Sequence, residues 1–167
     1  MNQPSRIETF WQRYLSTLPA AERKNTPSYS VDQFADTPEA ATKVGKLVRD
    51  GVKTTTSSLV WGLEAISMSL PKVGAINLIV DGNGEPLCII ELTEVEIKPF
   101  NTVDEQFAFE YGEGDRTLAF WLQDNWEFHS QWCRQIGREP SETMPIVFQR
   151  FRVLYPQKNE PHVSTPA

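Results

Sequence analysis

Two long stretches of alternating hydrophobicity in this chain each lose phase once, and that pair of slips limits the folds open to it. In the first, over 86–99, Cys88, Ile90 and Leu92 share one parity, and Val95 and Ile97 take the other, so the alternation slips near Thr93-Glu94. In the second, over 144–155, Ile146 and Phe148 are followed by Phe151, Val153 and Tyr155, with the slip near Gln149-Arg150. Strand side chains alternate between faces, so a slip inside one strand means an extra residue, a bulge. Bulged strands bend. Two of them predict a strongly curved sheet, small enough to close as a barrel.

The remaining elements follow from period and punctuation. A strand over 75–81 runs into 86–99 through Gly82-Asn83-Gly84, which suits a tight hairpin. Lys53 to Trp61 is rich in Thr and Ser and reads as a strand. Ile7, Phe10, Trp11, Tyr14, Leu15 and Leu18 make one stripe of a helix over 5–18, with Ser5 and Glu8 as a capping box and Pro19 as its stop. A second helix starts at Thr37-Pro38, buries Ala40, Ala41, Val44, Leu47 and Val48, and ends at Gly51. A third carries Leu118, Trp121, Leu122, Trp126, His129, Trp132, Cys133 and Ile136, is capped by Asp115 and closes at Gly137. Residues 20–36, with Asn25, Thr26, Pro27 and Ser28, are expected to be a loop, as is the acidic stretch from Asp104 to Asp115 with Gly112 and Gly114. The result is an α+β chain: one domain over 1–155 with the first helix docked on it, and a flexible tail over 156–167 containing Pro156, Pro161 and Pro166.

Composition narrows the function classes. No segment approaches the about 18 unbroken apolar residues of a membrane span, so no membrane partner is expected. The opening MNQPSRIETFWQRY has no apolar stretch of the secretory kind, which predicts a cytoplasmic protein. Cys88 and Cys133, like His129 and His162, are too scattered for a zinc site. A net charge of -6 argues against coating double-stranded DNA, which needs many phosphate contacts, but leaves room for a local basic patch.

Four sets of residues can carry chemistry. Lys43, Lys46 and Arg49 follow at three-residue steps with Lys53 just beyond, and such a cluster can meet phosphates; the plain alternative is a solvated helix face. In Gly51-Val52-Lys53-Thr54-Thr55-Thr56-Ser57-Ser58 a lysine stands beside hydroxyls, which suits a lysine that activates a threonine, a phosphate site, or simply a Thr-rich edge strand. The acidic stretch, Glu113 and Asp115 above all, can hold Mg²⁺ or Mn²⁺ or supply a base; it can equally provide charges at the next helix N-terminus. Trp61 is the aromatic best placed to line a pocket and stack on a base, whereas Trp126 and Trp132 read as core and His129 as a hydrogen-bonded, semi-buried histidine.

Taken in order, several short pieces resemble the longer bacterial ASCH-domain proteins. They are Gly51-Val52-Lys53-Thr54-Thr55-Thr56-Ser57, Leu70-Pro71-Lys72-Val73-Gly74, Asp81-Gly82-Asn83-Gly84-Glu85-Pro86-Leu87-Cys88, Thr93-Glu94-Val95, Val103-Asp104-Glu105-Gln106-Phe107-Ala108, Gly112-Glu113-Gly114-Asp115-Arg116-Thr117-Leu118 and Phe151-Arg152-Val153, spread over about residues 38–155. The resemblance implies a PUA-like fold, a small curved β-barrel flanked by helices. It also implies an RNA-related role: binding, or divalent-metal-dependent cleavage of single-stranded RNA. Small relatives are amidohydrolases of N4-acetylated cytidine that use a lysine, a threonine three positions on and a glutamate. The first two fall on Lys53 and Thr56. Where the family usually has its glutamate this chain has Tyr111, leaving Glu110 or Glu113 to stand in, and Ala75 replaces an aspartate often found there. The expected set is therefore Lys53, Thr56 and Glu113 as catalytic groups, Lys43, Lys46, Arg49 and Trp61 as RNA contacts, and Glu113 with Asp115 as ligands of Mg or Mn. The expected partner is single-stranded RNA or a modified nucleoside.

Overall fold

A computed structural model describes residues 4–158. The helices are α1 (Arg6–Ser16), α2 (Ala20–Arg23), α3 (Pro38–Arg49), α4 (Val60–Ala65), α5 (Glu105–Tyr111) and α6 (Leu118–Gln135). The strands are β1 (Tyr29–Asp32), β2 (Thr55–Leu59), β3 (Ile76–Val80), β4 (Pro86–Pro99) and β5 (Pro145–Tyr155). They form one five-stranded sheet in the order β1-β3-β4-β5-β2. Only β1 and β3 run parallel; the other neighbours are antiparallel.

The first expected slip is a bulge: along β4 and β5, Leu92 pairs with Phe151 and Glu94 with Arg150, so Thr93 is the extra residue. The second is corrected: β5 has no extra residue at Gln149-Arg150, Phe148 and Phe151 enter different core clusters, and the other irregularity of this pair lies where Ile89 faces Tyr155 and Ile90 faces Val153. The hairpin pairs as expected, Ile76 opposite Glu91 and Ile79 opposite Cys88. The expected barrel is corrected: the sheet is open. Its outer strands, β1 and β2, pair only inward, to β3 and β5, and at four and five residues are too short to reach around and meet. Curvature from the bulge bends the sheet without closing it.

Two expected loops are corrected as well. Within 20–36 lie α2 and the edge strand β1; a parallel strand needs only two apolar positions, Tyr29 and Val31, which alternation alone does not reveal. Within the acidic stretch, Asp104 accepts a 2.8 Å bond from the Phe107 amide and starts α5, whose Phe107, Ala108 and Tyr111 are buried. The Thr-rich strand stops at Leu59, so Trp61 lies on α4. Asp115 does not cap α6 itself. Thr117 does, accepting from the Phe120 amide, while Asp115 accepts from the backbone amide and the hydroxyl of Thr117. Of the expected tail, residues 159–167 lie outside the described residues.

Helices cover the sheet on both sides. Trp11 and Tyr14 of α1 pack on Ile76, Leu78 and Ile89. Val48 of α3 packs with Ile79, Cys88, Ile90 and Phe151. Trp121 of α6 and Phe107 and Tyr111 of α5 pack with Leu59, Ile146 and Phe148. Among the described residues no helix is long and apolar enough to cross a membrane.

Candidate functional site

The backbone between α3 and β2 brings Lys53 inside. After Gly51, which takes a left-handed φ of 74°, the amides of Val52 and Lys53 both donate to the Leu47 carbonyl, so the chain turns tightly back against the helix. Thr54 then donates its amide to Glu110 O, tying the start of β2 to α5. Lys53 ends up 1% exposed.

Its partner arrives from the end of α5. Gly112 caps that helix with φ 73°, and its α-carbon lies so near the Val52 and Lys53 backbone that any side chain would collide with it. This close approach places Glu113 Oε2 at 2.9 Å from Lys53 Nζ. The ammonium also donates to the Tyr111 carbonyl at 3.3 Å and sits 3.4 Å over the Tyr111 ring. The phenol of Tyr111 donates to Asp124 Oδ2 of α6 at 2.9 Å.

Burial sets the electrostatics. Loss of water pulls the Lys53 ammonium down to about 8, while Glu113 and Asp124 pull the other way. Burial pushes the Tyr111 phenol up, and the charges of Glu113 and Asp124 add to it. Burial raises the Asp124 carboxyl, opposed by its bond from Tyr111. A lysine near neutrality can act as an acid, a base or a cation within one pH unit of physiological conditions.

A second buried polar chain joins β2 to α6. Asn125 donates its amide to Trp121 O, so its Oδ1 is an acceptor and takes the Ser57 hydroxyl proton at 3.1 Å. His129 Nε2 lies 3.0 Å from the same hydroxyl and must donate to it. His129 is therefore the neutral tautomer with its proton on Nε2, and it cannot deprotonate Ser57. Burial pulls its imidazole down to about 4. This is a structural clasp: the histidine is more deeply buried than its sequence position suggested, and it is hydrogen-bonded as expected.

The other expected residues are placed as follows. Thr56 alternates onto the face of β2 opposite Thr55 and Ser57; Thr55 bonds to Phe107 O, and Ser58, on the Thr56 side, accepts from Gln149. The Lys53 ammonium and the Thr56 hydroxyl share no hydrogen bond among the described residues. Lys43 and Lys46 are exposed on α3, and Arg49 pairs with Asp50. The Trp61 ring lies 4.5 Å beneath the Arg138 guanidinium and packs on the α6 core. Glu113 is held by Lys53 and Asp115 by Thr117, and no group of three or more His, Cys, Asp or Glu side chains is gathered for a metal among the described residues. These side chains do not fit a divalent-ion site as they stand.

Asp124 is the member of the site that the sequence reading missed. Its signal is slight, a carboxylate three residues after Trp121 on the flank of an apolar stripe, one position before the equally unexpected buried Asn125.

A family model for the ASCH domain matches residues 30–155. Two solved structures are similar over nearly the whole chain. One is the ASCH domain from Lactobacillus crispatus JV V101, 32% identical, with a TM-score of 0.85, covering 93% of this chain and 98% of that one. The other is a protein from Enterococcus faecalis V583, 28% identical, with a TM-score of 0.75, covering 95% and 98%. None of the curated proteins matches the chain. The match over most of the chain, in sequence and in fold, carries the conclusion: this chain belongs to the ASCH-domain family.

Proposed function

We propose that this protein binds single-stranded RNA at the Lys53–Glu113 pair and cleaves it there. The family is linked in general to RNA binding. The observation that carries the finer reading is the ion pair itself: a buried lysine drawn down to about 8, held at 2.9 Å by a carboxylate that keeps 22% of its side-chain surface open. Glu113 is thus the side that substrate meets first.

The chemistry needs only these two groups. Glu113 takes the proton of a ribose 2′-hydroxyl as that oxygen attacks the adjacent phosphorus. The new 2′-O–P bond forms and the P–O5′ bond breaks. The enclosed Lys53 ammonium stays behind Glu113, holding that carboxylate ionised and in place, and solvent protonates the departing 5′-oxygen. No step is routed through a divalent ion.

An end-labelled single-stranded RNA tests this, with and without chelator, beside the same oligomer carrying 2′-deoxyribose. Wild type should cut only the ribose form, and Glu113→Gln and Lys53→Met should each lose about 10²-fold or more. Equal cutting by wild type and both variants would assign the activity to a contaminant. Salt-sensitive binding with no product would leave a non-catalytic RNA-binding module.

A second reading has one observation in its favour. A lysine near 8 is in the range of a base that could activate Thr56 against an N4-acylated cytidine. It requires Thr56 and Lys53 to converge from their present separate contacts. Release of cytidine from the acetylated nucleoside, lost in Thr56→Ala, selects this reading.

A further inference from the structure

A second surface shares the α5–α6 connection with the Lys53–Glu113 pair. An open groove of about 400 Å³ lies between α5 and the start of α6, lined by Glu105, Gln106, Phe109, Arg116, Thr117 and Leu118. Phe109 is 49% exposed, and the Arg116 guanidinium lies 3.7 Å over its ring. The arginine is fixed there. Its Nε donates to the Phe109 carbonyl at 3.0 Å, and Nη2 donates to the Val52 carbonyl at 3.4 Å. Its backbone takes a left-handed φ of 63°, which a residue with a side chain adopts only at a cost. Two carbonyls and a ring thus hold one guanidinium plane at the wall of the groove.

Tethering alone does not explain this arrangement. The two bonds would tie α5 to the Val52 turn without any ring, and the ring adds a flat, half-open surface beside them. Guanidinium planes and phenylalanine rings both carry nucleobases by stacking, which tolerates any base. The charges decide against a phosphate here. Among the described residues of the lining Arg116 is the one cation, opposed by Glu105, with Glu113 and Asp115 close by in the same connection. A base is neutral and escapes that repulsion. Thr117 and Gln106 already donate to Asp115 and Glu110, so the groove offers flat faces more than hydrogen-bond readout. It is also joined to the reacting pair. Arg116 bonds to Val52, the neighbour of Lys53, and stands three residues after Glu113, at most about 10 Å along the chain. A nucleotide next to a phosphodiester at Glu113 can therefore reach the groove.

We infer that Phe109 and Arg116 form a stacking platform for one unpaired nucleobase of a single-stranded RNA, beside the phosphodiester held at Glu113. The inference rests on the RNA reading of the Lys53–Glu113 pair and names the part of the strand that the neighbouring groove takes. Its test is binding by the full chain, read by fluorescence anisotropy. The probe is a short end-labelled RNA of mixed sequence with 2′-O-methyl ribose, which has no free 2′-hydroxyl to attack, beside the same oligomer with one abasic nucleotide at each position in turn. For wild type, one abasic position should weaken binding about tenfold. Phe109→Leu should bind the intact oligomer about tenfold more weakly, and the same abasic position should then cost nothing further, because both changes remove one stack. Unchanged affinity in Phe109→Leu, or two losses that add in full, overturns the platform.

Leucine keeps an apolar cover under the guanidinium, so the unfolding midpoint and the NMR titration of Lys53 should stay as in wild type. A Lys53 shift in Phe109→Leu would mean that the ring acts through the reacting pair, and it overturns the platform. Arg116→Lys keeps the charge and removes the plane, and the abasic cost should vanish there too. A full abasic cost in that variant overturns the part given to the guanidinium. The two readings fail separately. Non-additive losses in a protein that leaves the ribose oligomer uncut keep the platform and remove only the cleavage. Cleavage with no abasic-sensitive position removes only the platform, and a wild type that binds no RNA removes both.

Discussion

Two sets of opposite charges hold the same part of this molecule, and burial makes them different objects. Lys53 and Glu113 meet with the ammonium fully enclosed. About one strand away, Arg150 of β5 reaches Glu110 of α5 and Glu94 of β4 at 2.8 Å each, but a third of its side chain is open and Glu94 is about half exposed. Both sets stitch α5 to the sheet. In the open one, water competes for every charge, so each bond contributes little. In the closed one, the lysine has no water to turn to, so its pKa, its partner and its geometry depend on one another. The difference teaches that a charge pair becomes a chemical tool here only where the fold has removed the solvent.

The comparison can be broken first at its backbone. Gly112→Ala forces a side chain into a left-handed position and to within 2.5 Å of the Val52 carbonyl oxygen. Strain and overlap together should cost about 3 kcal/mol or more and pull Glu113 off Lys53. Urea unfolding measures the first and the Lys53 titration the second. A variant of unchanged stability would mean that the two segments can separate freely, and the close approach would lose its role.

Removing one charge comes next. Glu113→Ala leaves the buried ammonium with only the Tyr111 carbonyl, at a cost of roughly 2 to 3 kcal/mol. The loss is capped because Lys53, without its carboxylate, falls below 8 and gives up its proton. Lys53→Met replaces the buried charge by an apolar chain and should cost less than Glu113→Ala, although it removes the chemistry entirely. If the two variants are equally unstable, the pair is held by packing rather than by charge.

The closed pair also leaves a signature in pH. The folded lysine titrates near 8 against 10.5 for a free one, so between those values the unfolded chain binds more protons than the folded chain. Stability contributed by Lys53 therefore rises as pH rises from about 8 to about 10.5, by on the order of 3 kcal/mol. Tyrosines titrate in the same range, so the quantity to measure is wild type minus Lys53→Met. A flat difference would show that the lysine is not desolvated.

Much of the fold was legible because it depends on local period. The slip at Thr93-Glu94 announced a bulge, and the caps at Ser5 and Thr37 lie where their chemistry placed them. Closure of the sheet was not legible. It turns on whether β1 and β2 are long enough to meet, and β1 is a four-residue edge strand with three exposed positions. The site divides in the same way. Lys53 stood out as a charge beside hydroxyls, but its choice of Glu113 over Glu110 is made by Gly112 pressing on Val52, and Glu110 goes instead to Arg150. Asp124 was hidden because its meaning lies in a phenol from another helix. Thr56 was the partner that the family resemblance implied, yet the pleat of β2 turns it to the other face from Thr55 and Ser57.

The smallest expected effect lies on the open side, and it makes the contrast quantitative. Glu94→Gln keeps the shape of β4 and removes one of the two carboxylates on Arg150. Arg150 retains Glu110 and its contact with the Phe107 ring, and water replaces the rest. The change in unfolding free energy should be under about 1 kcal/mol and should shrink further in high salt, since exposed charges are screened within about 8 to 10 Å. The same salt should leave the cost of Glu113→Ala nearly unchanged, because no ions enter around Lys53. Parallel salt dependence for the two variants would mean that solvent reaches both pairs alike, and the lysine would then be an ordinary surface cation.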